Sequence, residues 1–268
     1  MHFKFPFPLL IIALLSIGCG YQGSSSSKPS KPKELPPRDV HPFTVAIEEA
    51  HQAQNWFKHE AMQVEFAMRF GDNTLLAEVT MDRDFGRIKF VTDKQESIVW
   101  DGEKLFLSPA DAEWSNPRFD IFTWPYFFAV PFKLNDPGTR LDSLGKSDQM
   151  GEAAEVIKLS FEEGVGDSPE DWYKVYRSDS SGLLVGMVYI VTYFSQDQVK
   201  SEANPHAISY HNFAEFDGIK IPTEWRFWDW SDEEGLGKRR GTARVGNFKF
   251  IKPSRFTYSI PISNREVE

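Results

Sequence analysis

Residues 206–230 read HAISYHNFAEFDGIKIPTEWRFWDW, and their order alone predicts a strand pair. Asp217-Gly218 is the preferred two-residue type I′ turn, because Asp and Gly tolerate the positive φ that the turn demands. With that turn as hinge, Phe216 faces Ile219, Ala214 faces Ile221, Asn212 faces Thr223, Tyr210 faces Trp225 and Ile208 faces Phe227. This side of the ribbon is apolar. The other side pairs Glu215 with Lys220, Phe213 with Pro222, His211 with Glu224 and Ser209 with Arg226. A one-residue slip would bury those charges, so the sequence specifies one wet face and one dry face.

The rest of the chain bounds what the dry face covers. With 268 residues, it fits one large β-rich domain that buries roughly 70–75% of its unfolded surface. Aromatic residues reach 15%, including 23 Phe and 8 Trp, and they need a core or a ligand. Net charge is −9, and because residues 1–39 carry Lys4, Lys28, Lys31, Lys33 and Arg38 against Glu34 and Asp39, the remainder is more acidic still. Nucleic acid is therefore not an expected partner, since phosphate binding needs a basic footprint. The sole cysteine, Cys19, excludes intrachain disulfides and cysteine-rich zinc sites.

Residues 1–18, MHFKFPFPLLIIALLSIG, join a cationic start to a short apolar run, the pattern of a secretion signal rather than of a spanning helix. Ser16-Ile17-Gly18-Cys19 resembles the lipobox of bacterial lipoproteins, which implies acylation of Cys19. Gly20 in place of Asp after that Cys implies outer-membrane delivery. The Ser-, Pro- and Lys-rich residues that follow bury too little apolar surface to order themselves and read as a tether.

From residue 42 to 59, Ala46, Ile47, Ala50, Ala53, Trp56 and Phe57 recur at helical steps, so one amphipathic helix is expected. The period then changes to two: Met62, Val64, Phe66, Met68 and Phe70 alternate with polar or small residues, Gly71-Asp72-Asn73 turns, and Leu75, Ala77, Val79 and Met81 continue. Segments 87–91, 97–100 and 104–107 complete a meander. The run 119–134, FDIFTWPYFFAVPFKL, is too densely aromatic for a two-faced strand; Pro125 suits a first helical position, and a short aromatic helix or lid is expected. Further strands are expected at 153–162, 172–177, 183–194 and 242–251. The stretch 183–194 is apolar on both faces, so a cover is needed on each, with the N-terminal helix and the aromatic lid as the candidates.

The lipobox-like leader, the amphipathic helix, the meander carrying Asp101-Gly102-Glu103-Lys104-Leu105, the aromatic insertion and the DGIKIP hairpin at 217–222 together resemble lipoprotein-carrier (LolA/LolB-like) domains. More closely, YFFAVPFKLNDPG (126–138), GDSPEDWYKVY (166–176) and SGLLVGMVYIVTY (181–193) resemble a family of bacterial lipoproteins of unknown function. Where that family has His-Gly-Gly after the first helix, this chain has His51-Gln52-Ala53. The resemblance implies an α+β, mainly β fold: a curved antiparallel sheet, a half-open β-barrel, wrapped round an N-terminal helix and a short aromatic helix or lid. Its expected divisions are a signal peptide at 1–18, a lipidated tether at 19–41 and a single half-barrel domain at 42–262.

Candidate sites follow. Met62, Phe66, Met68, Trp124, Phe127, Phe128, Tyr210, Trp225 and Phe227 form an adaptable apolar set suited to an acyl chain, with 124–132 as lid. The same residues would equally fill a core. Asp167, Glu170 and Asp171, beside Glu162-Glu163, are carboxylates that could serve an envelope-glycan hydrolase. Trp228 and Trp230 alternate to the wetter face of the hairpin and could stack on a glycan or a protein. The histidines His51, His59, His206 and His211 lack metal-ligand spacing and read as solvated or capping residues. No nucleophile elbow, phosphate loop or dinucleotide fingerprint occurs, so neither cofactor nor metal is expected. The expectation is a monomeric, non-enzymatic, outer-membrane lipid-anchored protein, on the periplasmic face or cell surface, that binds a lipid or lipoprotein acyl chain.

Overall fold

The computed structural model describes residues 40–195 and 197–267. The expected leader and tether, Cys19 included, lie outside the described residues.

A 13-stranded antiparallel sheet dominates the fold. Its first arm is a meander: β1 Ala61–Phe70, β2 Asn73–Asp82, β3 Ile88–Thr92, β4 Ser97–Trp100 and β5 Leu105–Ser108. Its second arm runs β6 Thr139–Ser147, β7 Ala154–Phe161, β8 Tyr173–Ser178, β9 Leu184–Tyr189, β10 His206–Phe216, β11 Ile219–Ser231 and β12 Gly235–Ile251. β12 pairs with β1 and joins the arms, and a last strand, β13 Arg265–Val267, adds to β5 beyond the expected boundary at 262. The ends β6 and β13 do not meet, so the curved sheet is an open half-barrel. Among the described residues, four α-helices accompany it: α1 Pro42–Ala50, α2 Ala53–Trp56, α3 Pro117–Ala129 and α4 Gln198–Glu202.

The β10–β11 hairpin has the register that its turn dictates. Phe216 faces Ile219, Tyr210 faces Trp225, Ile208 faces Phe227 and His211 faces Glu224. Asp217 and Gly218 hold φ of 52° and 76°, as a type I′ turn requires. Asn212 opposite Thr223 is the irregular pair: Asn212 has φ 54°, and the Thr223 hydroxyl donates to its carbonyl at 2.5 Å.

One core fills most of the half-barrel. Phe43 and Ile47 of α1, Trp56 of α2 and Phe127 and Phe128 of α3 pack with Met62, Phe66, Tyr210 and Trp225 of the sheet. Trp56 stacks on Phe132 at 4.2 Å, just after α3. Burying one such indole contributes about 4–6 kcal/mol at ~25 cal/mol per Å², before entropy is counted.

Three expectations need correction. The helix over 42–59 is broken between α1 and α2, because Gln52 turns left-handed at φ 58° and the His51 ring turns inward. Pro125 does not start α3; Pro117 does, and Pro125 lies inside the helix. Both candidate covers of β9 belong to the same core, so they share one face. Its other face, with Val185 and Val188, packs under Met150, Tyr176 and Trp230 in a second apolar cluster. Met150 sits over Gly186, where an added Cβ would lie 2.7 Å from its sulfur.

Candidate functional site

The interior is not filled to both ends. Beside the first turns of α3, the sheet leaves a cleft of about 800 Å³. Its apolar wall consists of Met68 and Phe70 at the end of β1, Leu75 at the start of β2, Trp124 and Phe127 of α3, and Phe227 of β11. These rings are mutually braced: Phe70 lies 4.6 Å from Phe227 and 5.7 Å from Trp124, and Trp124 meets Phe227 edge-on at 5.8 Å. Gly241 of β12 makes room for Phe70, since a Cβ there would fall 2.6 Å from its ring.

Two polar contacts tie α3 to the loop before it, through Trp114, and to β10, through Tyr210. The Asp120 carboxylate accepts hydrogen bonds from the indoles of Trp114 (2.7 Å) and Trp124 (2.8 Å). Burial raises the Asp120 pKa from its ordinary value, while the two indole donors pull it back. At the other end, the helical partner of the Phe127 carbonyl would be the N–H of residue 131, and Pro131 has none. The Tyr210 hydroxyl of β10 donates to that carbonyl instead, at 2.8 Å.

The rim is polar. On the first arm stand Asp72, Asp93, Lys94 and Glu96, with Glu113 before α3. On the second arm stand His206 and the ion pair between Asp229 and Arg240, at 2.6 Å. Tyr189 lines the cleft between Phe127 and His206, its ring 4.8 Å and 5.9 Å from theirs. A second hollow of about 930 Å³ involves Glu65, Glu78, Asn212, Glu224 and Arg244, and these charges make it a poor fit for an acyl chain.

The proposed apolar set divides. Met68, Trp124, Phe127 and Phe227 line the cleft. Met62, Phe66, Phe128, Tyr210 and Trp225 lie in the closed core, where Phe66 meets Phe128 at 6.0 Å and Trp225 at 5.4 Å. Sequence reasoning missed Phe70, Leu75, Phe119, Tyr189, Phe194 and His206 as lining residues. A signal existed for Phe70 and Leu75, since they flank the Gly71 turn and so sit at the sheet's end.

The acidic loop is not gathered into a carboxylate pair. Asp167 is ion-paired with Arg118 of α3, and Asp171 accepts from both the N–H and the hydroxyl of Thr192 at 2.8 Å, while Glu170 is exposed. Burial raises the Asp171 pKa, against those two hydrogen bonds. Trp230 does not face water: it is buried against Tyr176, its indole donating to Asp232 at 2.9 Å. Trp228 is half-buried and donates to Ser209 at 2.9 Å.

His51 stands at the C-cap position of α1, but its side chain is neither solvated nor a cap: it is fully buried and bonds the backbone of residues 184 and 220. His59 stacks on Phe250 at 3.4 Å and bonds Asp217 at 2.9 Å, and His211 bonds Ser209 at 2.9 Å. Among the described residues, no group of His, Cys, Asp and Glu could hold a metal ion, and no helix is long and apolar enough to cross a membrane.

No protein-family model matches the sequence, and no curated protein matches it significantly. Solved structures do match. A LolA superfamily protein from Nitrosomonas europaea superposes with a TM-score of 0.53 at 11% identity, covering 81% of this chain and 97% of that one. An outer membrane lipoprotein-sorting protein domain, so described provisionally, from Vibrio parahaemolyticus gives 0.46 at 9% identity over 76% and 90%. A DUF1329 family protein from Desulfovibrio piger gives 0.43 at 10% over 82% and 98%. The fold is LolA-like.

Proposed function

We propose that this chain is a lipid-anchored envelope protein that carries no catalytic centre and binds an apolar ligand, a lipid or a lipoprotein acyl chain, in the cleft beside α3. The observation that carries the reading is the aromatic-walled cleft of about 800 Å³, inside the 300–1,000 Å³ range of small-ligand sites. The LolA-like fold is consistent with it. Cys19 would carry the anchor, residues 1–18 would be removed as a signal peptide, residues 19–41 would form the tether, and the remaining chain would act as a monomeric half-barrel at the outer membrane.

Uptake of N-phenyl-1-naphthylamine by the purified full chain tests the cleft. Fluorescence should rise on binding and fall on adding a long-chain lipid. Leu75→Arg, which puts a charge into the apolar wall, should abolish the rise without changing the far-UV circular dichroism. A wild-type chain that neither binds the dye nor yields co-purified lipid by mass spectrometry defeats the reading. The anchor has its own test: intact mass should show acylation of the wild-type chain and its loss in Cys19→Ser.

A further inference from the structure

A polar ladder crosses the second arm at the level of the cleft. Tyr173 of β8 faces Tyr189 of β9, Tyr189 faces His206 of β10, and His206 faces Asp229 of β11, which is ion-paired with Arg240 of β12. Directly paired residues project to the same side of a sheet, and Tyr189, His206, Asp229 and Arg240 all line the cleft.

The members differ in what they leave unused. Asp229 and Arg240 satisfy each other through two bonds of 2.6 Å. Tyr189 is only 8% exposed, its hydroxyl has no hydrogen-bond partner, and burial pushes its pKa up, so it remains a donor. That hydroxyl is uncommitted at the cleft wall and can donate to a ligand acceptor. His206 likewise has no hydrogen bond, and burial chiefly lowers its pKa, with Arg240 adding to that effect and Asp229 opposing it. The imidazole is therefore neutral at pH 7.

The ladder thus offers donors but no uncommitted positive charge, while the first-arm rim presents Asp72, Asp93, Glu96 and Glu113 against the single Lys94. An anionic head group would meet that field unfavourably; an uncharged carbonyl would not. We propose that the Tyr189–His206 step is the head-group subsite of the cleft and takes the carbonyl oxygen of an uncharged acyl ester in preference to a free carboxylate. The acyl chain would lie along Phe127, Trp124 and Phe227. This rests on the cleft-binding function proposed above and adds the class of ligand.

The test is displacement of N-phenyl-1-naphthylamine from the full chain by 1-monooleoylglycerol and, separately, by oleate. The ester should displace the dye at a concentration about tenfold or more below that needed for oleate. Tyr189→Phe removes one oxygen and should weaken the ester relative to the dye by about three- to tenfold, the net effect of one hydrogen bond. His206→Leu, at the half-exposed end of the step, should also narrow the preference for ester over acid. A chain that binds the dye yet ranks oleate level with or above the ester, or ignores Tyr189→Phe, overturns the subsite alone. A wild-type chain that binds neither dye nor ester overturns the cleft-binding function, and the subsite with it.

Discussion

The imidazole of His51 donates from Nδ1 to the Lys220 carbonyl at 2.7 Å and accepts the Leu184 N–H on Nε2 at 3.0 Å. Only the neutral ring can do both, so protonation would set two N–H groups against each other. Burial, the chief cause, lowers the His51 pKa from 6.5 to about 4. Between those values the unfolded chain binds more protons than the folded one, so this contribution to stability is complete above about pH 6.5 and falls as pH drops toward 4. The loss amounts to up to about 3 kcal/mol. We expect His51→Gln to melt earlier at pH 7 and to lose less between pH 7 and pH 4.5 than the wild type, as read by thermal unfolding at both values. Parallel curves would contradict this assignment. Its neighbour Gln52 sits at φ 58°, a conformation that costs a non-glycine residue about 1–2 kcal/mol. Gln52→Gly should therefore raise the melting temperature by about 2–4 °C; a lower one would show that the exposed bond from Gln52 to the Glu49 carbonyl outweighs the strain. The His-Gly-Gly of the resembling family places a glycine at this position. The sequence read His51 as solvated or capping; its latch role was not legible, because the partners lie 169 and 133 residues away.

At the scale of elements, α3 owes its position to a bond that its own sequence makes necessary. Pro131 cannot donate to the Phe127 carbonyl, and Tyr210, a strand away, does. Tyr210→Phe keeps the ring and leaves that buried carbonyl unpaired, at a cost of about 1–3 kcal/mol. Hydrogen exchange should quicken in α3 before it quickens in β10; if both change together, or neither does, Tyr210 is not what holds the helix. The aromatic helix was readable from its density of rings, and the hairpin from its turn and alternation. β6, Thr139–Ser147, was not readable, because it is an edge strand wet on both sides, with its ladder broken at Gly145. Such bulged, polar edges resist pairing with other chains. The first residues of β12, with Lys238, Arg239 and Arg240, escaped notice for the same reason: alternation reports a buried face, and this ribbon end has none for it to report.

At the scale of the molecule, the dry face is one surface put to two uses. Toward α1 and α2 it is closed by Trp56, Phe128 and Phe132; toward the first turns of α3 it stays open. No residue type separates the halves, since Phe66 and Phe70 belong to the same alternating run of β1 and point to the same side. Only their heights along the strand differ, and height relative to a helix is a tertiary fact. Phe66 is 1% exposed in the closed half, whereas Phe70 is half-buried at the cleft. Phe66→Ala should therefore cost about 3–5 kcal/mol in denaturant unfolding, because its neighbours cannot collapse into the space. Its effect on dye uptake, measured where the variant is still folded, should be small. Phe70→Ala should do the reverse: a smaller loss of stability, since Phe70 is only half-buried, and a several-fold weaker uptake from the missing wall. If the two variants lose stability and uptake in the same proportion, the interior is one continuous compartment rather than a plug beside a cleft.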